Sequence, residues 1–172
     1  MSNITKVTYE DFLESIRLYF LWKDLNKSIK SFYSRGVNIH EAITERIVCY
    51  VNDYKHSLGE GSEDAFTKDG RKVQIKATSN YNSDLTSFGP TSQFDILHFV
   101  RLDQENDKMY LYDIKVDDLY TIKVNKSETF KDQQLSGKRP RLSVIEKFIK
   151  ANSEEAYAIV DLKTKKIQNN LI

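Results

Sequence analysis

Asp64, Gln74 and Lys76 are the residues whose types and spacing point to chemistry. Asp64-Ala65-Phe66 is followed by Asp69-Gly70 and then by Val73-Gln74-Ile75-Lys76-Ala77-Thr78. An Asp-Gly pair between two short apolar runs is a strong hairpin signal, and the hairpin brings the acid of the first strand beside the second. Side chains alternate along a strand, so Val73, Ile75 and Ala77 share the core face while Gln74, Lys76 and Thr78 share a face available for a site. A carboxylate with a second oxygen ligand can hold a divalent cation, and an ammonium beside an attacked phosphate neutralises developing charge. That combination hydrolyses phosphodiesters. In this reading Asp64, the Gln74 side-chain oxygen and the Ile75 backbone carbonyl hold the cation, and Lys76 orients or deprotonates the attacking water or steadies the phosphorane. The general-base role is the weaker of these, because neighbouring carboxylates favour the charged ammonium.

The flanking periodicities say what must position this hairpin. Apolar residues from Phe12 to Phe20 recur at helical intervals after Thr8-Tyr9-Glu10-Asp11, predicting a first helix over Tyr9 to Asp24. A shorter helical stretch over Lys27 to Ser34 is expected to stop at Arg35-Gly36 with glycine in a left-handed cap. Asn38 with Glu41 three positions on predicts a third helix. It carries Ile43, Ile47, Val51 and Tyr54 on one stripe and Glu41, Glu45, Val48 and Asn52 on the next. From Asp64 the period changes toward two. Phe94 to Leu102 is apolar on both faces and reads as a central strand. Met109 to Ile114 is an antiparallel neighbour, Tyr120 to Val124 a further strand, Leu142 to Ala151 a helix and Tyr157 to Leu162 a late strand. The organisation is α+β, a mixed, largely antiparallel sheet flanked by helices.

The 172 residues suffice for one domain with a substantial core. Within it, 1–57 is mainly helical, 62–125 carries the hairpin and sheet, and 126–172 carries a basic segment, a helix and a terminal strand. Only 6 Gly and 2 Pro argue against a flexible linker. No apolar run approaches a bilayer span and the first residues are polar, so a cytoplasmic protein is expected. The single cysteine, Cys49, has no intramolecular partner and reads as a buried structural thiol. A net charge of +1 makes no global case for nucleic acid, but Lys131 to Lys150 holds six basic residues against two acidic ones. In contrast, Glu60, Glu63 and Asp64 form an acidic cluster of the kind a metal site uses. His40, His56 and His98 read as structural, with His56 near the end of the third helix.

The pattern resembles the PD-(D/E)xK nucleases, and in particular the PvuII-like branch of small type II restriction endonucleases. Asp64-Ala65, Gly70 and Gln74-Ile75-Lys76, followed by Asp84-Leu85-Thr86 and Phe88, carry that resemblance. Over most of the chain it is similar to small restriction enzymes that recognise the interrupted palindrome GCNGC. The segments are Asn38 to Glu45, Gln74 to Ser79, Phe94 to Phe99 and Gly137 to Ser143. The resemblance implies a restriction-endonuclease-like fold and a homodimer that cuts both strands of double-stranded DNA with Mg²⁺. Gln74 departs from the acidic residue of the motif. The resemblance makes Glu45 a candidate to supply the missing charge, with Glu63 as the alternative.

Given DNA as substrate, Ser79 to Gln93 offers Ser79, Asn80, Asn82, Asp84, Thr86, Ser87, Thr91, Ser92 and Gln93, short polar side chains suited to base edges. Lys138, Arg139 and Arg141 suit phosphate contact or guanine readout. Two other readings share these residues: a repair or junction-resolving nuclease on the same fold, and a DNA-binding module whose cleavage site has decayed at Gln74.

Overall fold

A computed structural model describes residues 3–59 and 61–170. The elements in chain order are β1 (Ile4–Lys6), α1 (Tyr9–Lys30), α2 (Glu41–Asn52), β2 (Lys55–Ser57), β3 (Ala65–Phe66), β4 (Lys72–Thr78), β5 (Thr86–Ser87) and β6 (Ile96–Asp103). They continue with β7 (Lys108–Ile114), α3 (Val116–Thr121), α4 (Phe130–Leu135), β8 (Arg141–Leu142), the π-helical α5 (Ile145–Lys150), β9 (Ala158–Asp161) and β10 (Lys166–Asn169). Eight strands form one sheet in the order β1-β2-β3-β4-β6-β7-β9-β10. All neighbours are antiparallel except β4 and β6. The α+β organisation and the largely antiparallel sheet are as expected.

α1 starts at Thr8, whose hydroxyl accepts the Asp11 N–H at 3.2 Å while Asp11 accepts the Thr8 N–H at 2.9 Å. This reciprocal cap is worth about 1 kcal/mol. Phe12, Ile16, Tyr19 and Trp22 then bury one stripe against the sheet. The helix runs unbroken to Lys30, so the expected break after Asp24 does not occur. Gly36 also departs from expectation, since its φ is not positive. It is needed for close approach: a Cβ there would lie 2.0 Å from Asn26 Oδ1, which accepts the Val37 N–H at 2.8 Å. The cap of α2 is His40 rather than Asn38, with Nδ1 accepting the Ala42 N–H at 3.2 Å.

The sheet separates two cores. Ile47, Val48, Val73, Ile75, Val100 and Leu111 pack with α1 and α2 on one face. Leu97, Phe99, Ile114, Phe130, Ile145 and Phe148 pack on the other with α3, α4 and α5. β6 faces both, which explains its continuous apolar run. Cys49 is a buried thiol, and burial raises its pKa. Three sequence expectations are corrected here. Tyr120 to Val124 is no strand, because α3 claims Val116–Thr121 and buries Leu119. The expected helix over Leu142 to Ala151 begins as β8, and Ala77 is exposed although Val73 and Ile75 are core. The short strands β1, β2 and β10 are additional. Glu60 lies outside the described residues.

Candidate active site

The site forms at the start of β3, where the paired β4 runs on past it. Gly70, at φ 85°, closes the turn between the two strands, whose register sets Ala65 opposite Val73. The Asp64 N–H still donates to the Val73 carbonyl at 2.9 Å, but beyond this point β4 has no strand on that edge. The Asp64 carboxylate takes the vacated place, accepting the Ile75 N–H at 2.6 Å and the Gln74 side-chain amide. The N–H and C=O of one extended residue leave the strand on the same side. The Ile75 carbonyl therefore faces this open edge too.

α2 crosses the same edge and delivers Glu45. Its carboxylate is held from behind by His56, with Nε2 2.8 Å from Glu45 Oε2. His56 is buried in β2, where it pairs with Thr5 and Ala65. It belongs to a strand and not to the end of α2. Burial, followed by the negative charge of Glu45, pushes the Asp64 carboxyl up to about 6, against the lowering influences of the Ile75 N–H, the Lys76 ammonium and the Gln74 amide. Two carboxylates are thus crowded together beside one ammonium.

Glu45, Asp64, Ile75 and Lys76 all line one cleft of about 580 Å³. Lys76 Nζ lies 5.8 Å from the centre of the ring of Phe88, a buried residue of the second core. Gln74 is at this site but sits deeper, at 4% exposure, so its side chain is packed rather than presented outward as its alternation suggested. Its amide nitrogen faces Asp64, and a half-turn of the amide would present the oxygen instead. Glu63 turns away to Lys72 at 3.5 Å. Among the described residues no three His, Cys, Asp or Glu side chains cluster as metal ligands. The available donors are two carboxylates, a backbone carbonyl and a neutral amide, all compatible with a hard cation that keeps part of its water shell. The mutual repulsion of Asp64 and Glu45 is the feature such a cation relieves, so the residues fit.

The recognition candidates divide into groups. Ser79, Asp84, Thr86 and Ser87 line the cleft with Lys76. Asp84 is already engaged, accepting from Thr86, from Ser143 at 2.7 Å and from the Val144 and Ile145 N–H groups at 2.9 and 3.0 Å. It ties β5 to the start of α5. Thr86 is buried. Ser79, Asn80 and Asn82 line a second groove of about 700 Å³, which shares Asn38 and Ser79 with the first cleft. Thr91, Ser92 and Gln93 lie elsewhere, against α4 beside Lys131 and Gln134. Arg141 sits in β8 opposite Ser87 at the rim of the cleft, Arg139 is exposed, and Lys138 is paired to Glu128 at 2.6 Å.

Sequence reasoning missed His56, because a three-residue strand carries no periodic signal. It also missed Lys30, Arg35 and Asn38, which meet Asn80 and Asn82 across the second groove. The polarity of Arg35-Gly36-Val37-Asn38 was visible, but its opposition to residues 79–82 is a product of folding.

A mixed sheet brings a carboxylate pair and a lysine together at one open strand edge, the donor set a phosphodiester-hydrolysing enzyme requires. The sequence model of the Bsp6I restriction endonuclease family matches residues 7–151. The chain is also 42% identical over 169 residues, 97% of each chain, to the type II restriction enzyme Bsp6I of Bacillus sp. (strain RFL6). The chain belongs to the Bsp6I family of type II restriction endonucleases, which are site-specific nucleases acting on DNA. Membership favours a restriction enzyme over a repair or junction-resolving nuclease. No helix among the described residues is long and apolar enough to cross a membrane.

Proposed function

We propose that this restriction endonuclease uses a PD-(D/E)xK-type site to hydrolyse double-stranded DNA with Mg²⁺, at GCNGC. The observation that carries the reading is the convergence of Glu45, Asp64, the Ile75 backbone and Lys76 on one cleft. Asp64, Glu45 and the Ile75 carbonyl would hold the cation, with the Gln74 side-chain oxygen as a further donor in its other amide orientation. A bound magnesium ion lowers the pKa of its water and polarises phosphate oxygens. The protein's own groups supply the rest. His56 fixes the carboxylate of Glu45, and the Ile75 N–H fixes that of Asp64. Lys76 places its side-chain amine at the cleft to orient the attacking water and to offset charge on the phosphate. Glu45 thus contributes the charge that Gln74 lacks.

The enzyme acts as a homodimer, since one chain carries one such cleft and a two-fold pair presents two to the strands of a palindrome. The exposed Leu21, Leu25 and Phe32, at i, i+4 and i+11 along α1 and just beyond it, supply an apolar surface for that pairing. GCNGC rests on the resemblance of the four segments named above. Sequencing the ends of plasmid fragments produced with Mg²⁺ tests the whole reading. Discrete ends at GCNGC are expected, and dispersed ends or ends at another sequence would remove the assigned site.

A further inference from the structure

Beyond the catalytic strand, one buried cation remains unused by the site just described. Arg101 on β6 lies beside Thr78 at the end of β4, on the same face of the sheet as Lys76. It is 7% exposed, and none of the ion pairs among the described residues includes it. Its guanidinium instead donates from Nε to the Tyr81 carbonyl at 2.9 Å and from a second nitrogen to the same oxygen. A third nitrogen reaches the Tyr112 hydroxyl at 3.4 Å, and the group stacks 3.9 Å from the centre of the Tyr81 ring. Tyr81 is wedged further by an edge contact with Tyr110. Next to it, Gln104 Nε2 donates to the Ser79 carbonyl at 2.6 Å. Burying a guanidinium without a carboxylate is costly, and an apolar side chain would pack there more cheaply. What the charge accomplishes is to hold both the backbone and the ring of one loop residue.

That residue sits between Asn80 and Asn82, the exposed amides lining the groove that continues from the catalytic cleft. Asn80 and Asn82 need a fixed backbone to present their amides in one orientation, and β4 alone stops at Thr78. We propose that Arg101 is a positioning residue for base recognition: through Tyr81 it locks the 79–82 loop so that Asn80 and Asn82 read DNA in a set register. The inference rests on the nuclease reading above and names the device behind its sequence discrimination. A bidentate planar fork is the requirement, which lysine does not meet.

The test compares wild type with Arg101→Met, Arg101→Lys and Gln104→Ala. Binding is measured in Ca²⁺ by fluorescence anisotropy, using a duplex containing the sequence that wild type recognises and duplexes with one base pair of it changed. Melting curves verify folding. The ratio of the two dissociation constants is expected to fall at least tenfold in Arg101→Met, with little recovery in Arg101→Lys, and severalfold in Gln104→Ala. A merely structural role would lower the melting temperature and leave the ratio of the folded protein unchanged. An unchanged ratio in folded Arg101→Met overturns the proposal, and if that variant does not fold, an unchanged ratio in Gln104→Ala does so. Because binding is read without cleavage, a wild type that binds selectively but cuts nothing with Mg²⁺ counts against the catalytic assignment and leaves the loop clamp standing.

Discussion

The Asp64 carboxylate accepts the Ile75 backbone N–H at 2.6 Å, filling the position that a continuing β3 would occupy. This one bond satisfies a backbone donor of β4 left free because β3 starts only at Ala65, and it sets the acid at the open edge of β4. The geometry of this cleft arises from an interruption in strand pairing.

Replacing Lys76 by alanine removes the ammonium and leaves the two carboxylates in place. Cleavage of plasmid DNA with Mg²⁺ is expected to fall by about 10²–10⁴-fold. Binding in Ca²⁺, followed by gel shift, should change little. Retained cleavage would remove Lys76 from the mechanism.

His56→Ala leaves Glu45 without its backing partner. Groups that orient metal ligands are typically worth about 10–100-fold in metal affinity. The Mg²⁺ concentration giving half-maximal cleavage should rise by that factor, while kcat at saturating Mg²⁺ falls less. A midpoint equal to that of wild type would show that Glu45 does not need His56 for its placement.

Gln74→Glu adds a third carboxylate beside a pair that already repels. Without metal the extra charge should lower the melting temperature. With Mg²⁺ it should bring the half-maximal concentration down by roughly tenfold, about 1.4 kcal/mol. Melting in EDTA and Mg²⁺ titration of cleavage measure the two effects, and their opposite signs are the check. If neither wild type nor this variant cuts with any divalent metal while both bind DNA, the site has decayed and the enzyme reading falls.

Asp107 provides a pH prediction away from the site. Burial raises its pKa, but the hydrogen bonds from Lys23, Tyr19 and Lys163 outweigh this and leave it below the ordinary 3.8. A carboxyl depressed in the fold contributes stability above its unfolded pKa and loses it as pH falls through the folded value. Asp107→Asn keeps a residue that tolerates φ 53°, removes the charge and turns one acceptor oxygen toward Lys23, Tyr19 or Lys163 into an amide donor. It should cost about 1–3 kcal/mol near neutral pH. The gap to wild type in urea titrations should close in acid, below the folded pKa, and a gap that persists there would assign the loss to packing.

Much of this was legible because the signals are local. The Thr8–Asp11 cap, the turn at Asp69-Gly70 and the two-faced apolar run of β6 each lie within a few residues of sequence. Glu45 was within reach only through resemblance, since nothing in the pattern of α2 says which of its stripes meets a strand edge. Tyr120 to Val124 misled because its aromatic and β-branched residues suit a strand, while burial of Leu119 against α4 favours a helical turn. Residues 79–93 looked like a long loop, yet β5 pairs with β8 and Arg101 clamps Tyr81. Those partners are distant in the chain.

The sequence by itself determined that an acid, an amide and a lysine would meet across one hairpin, because alternation and a tight turn leave a short chain little choice. Tertiary structure decided that Gln74 would be packed inward, that Glu45, backed by His56, would join the cleft, and that β3 would begin only after Asp64. Those outcomes depend on where a helix crosses a sheet edge, a balance of burial against exposed backbone that no local pattern records.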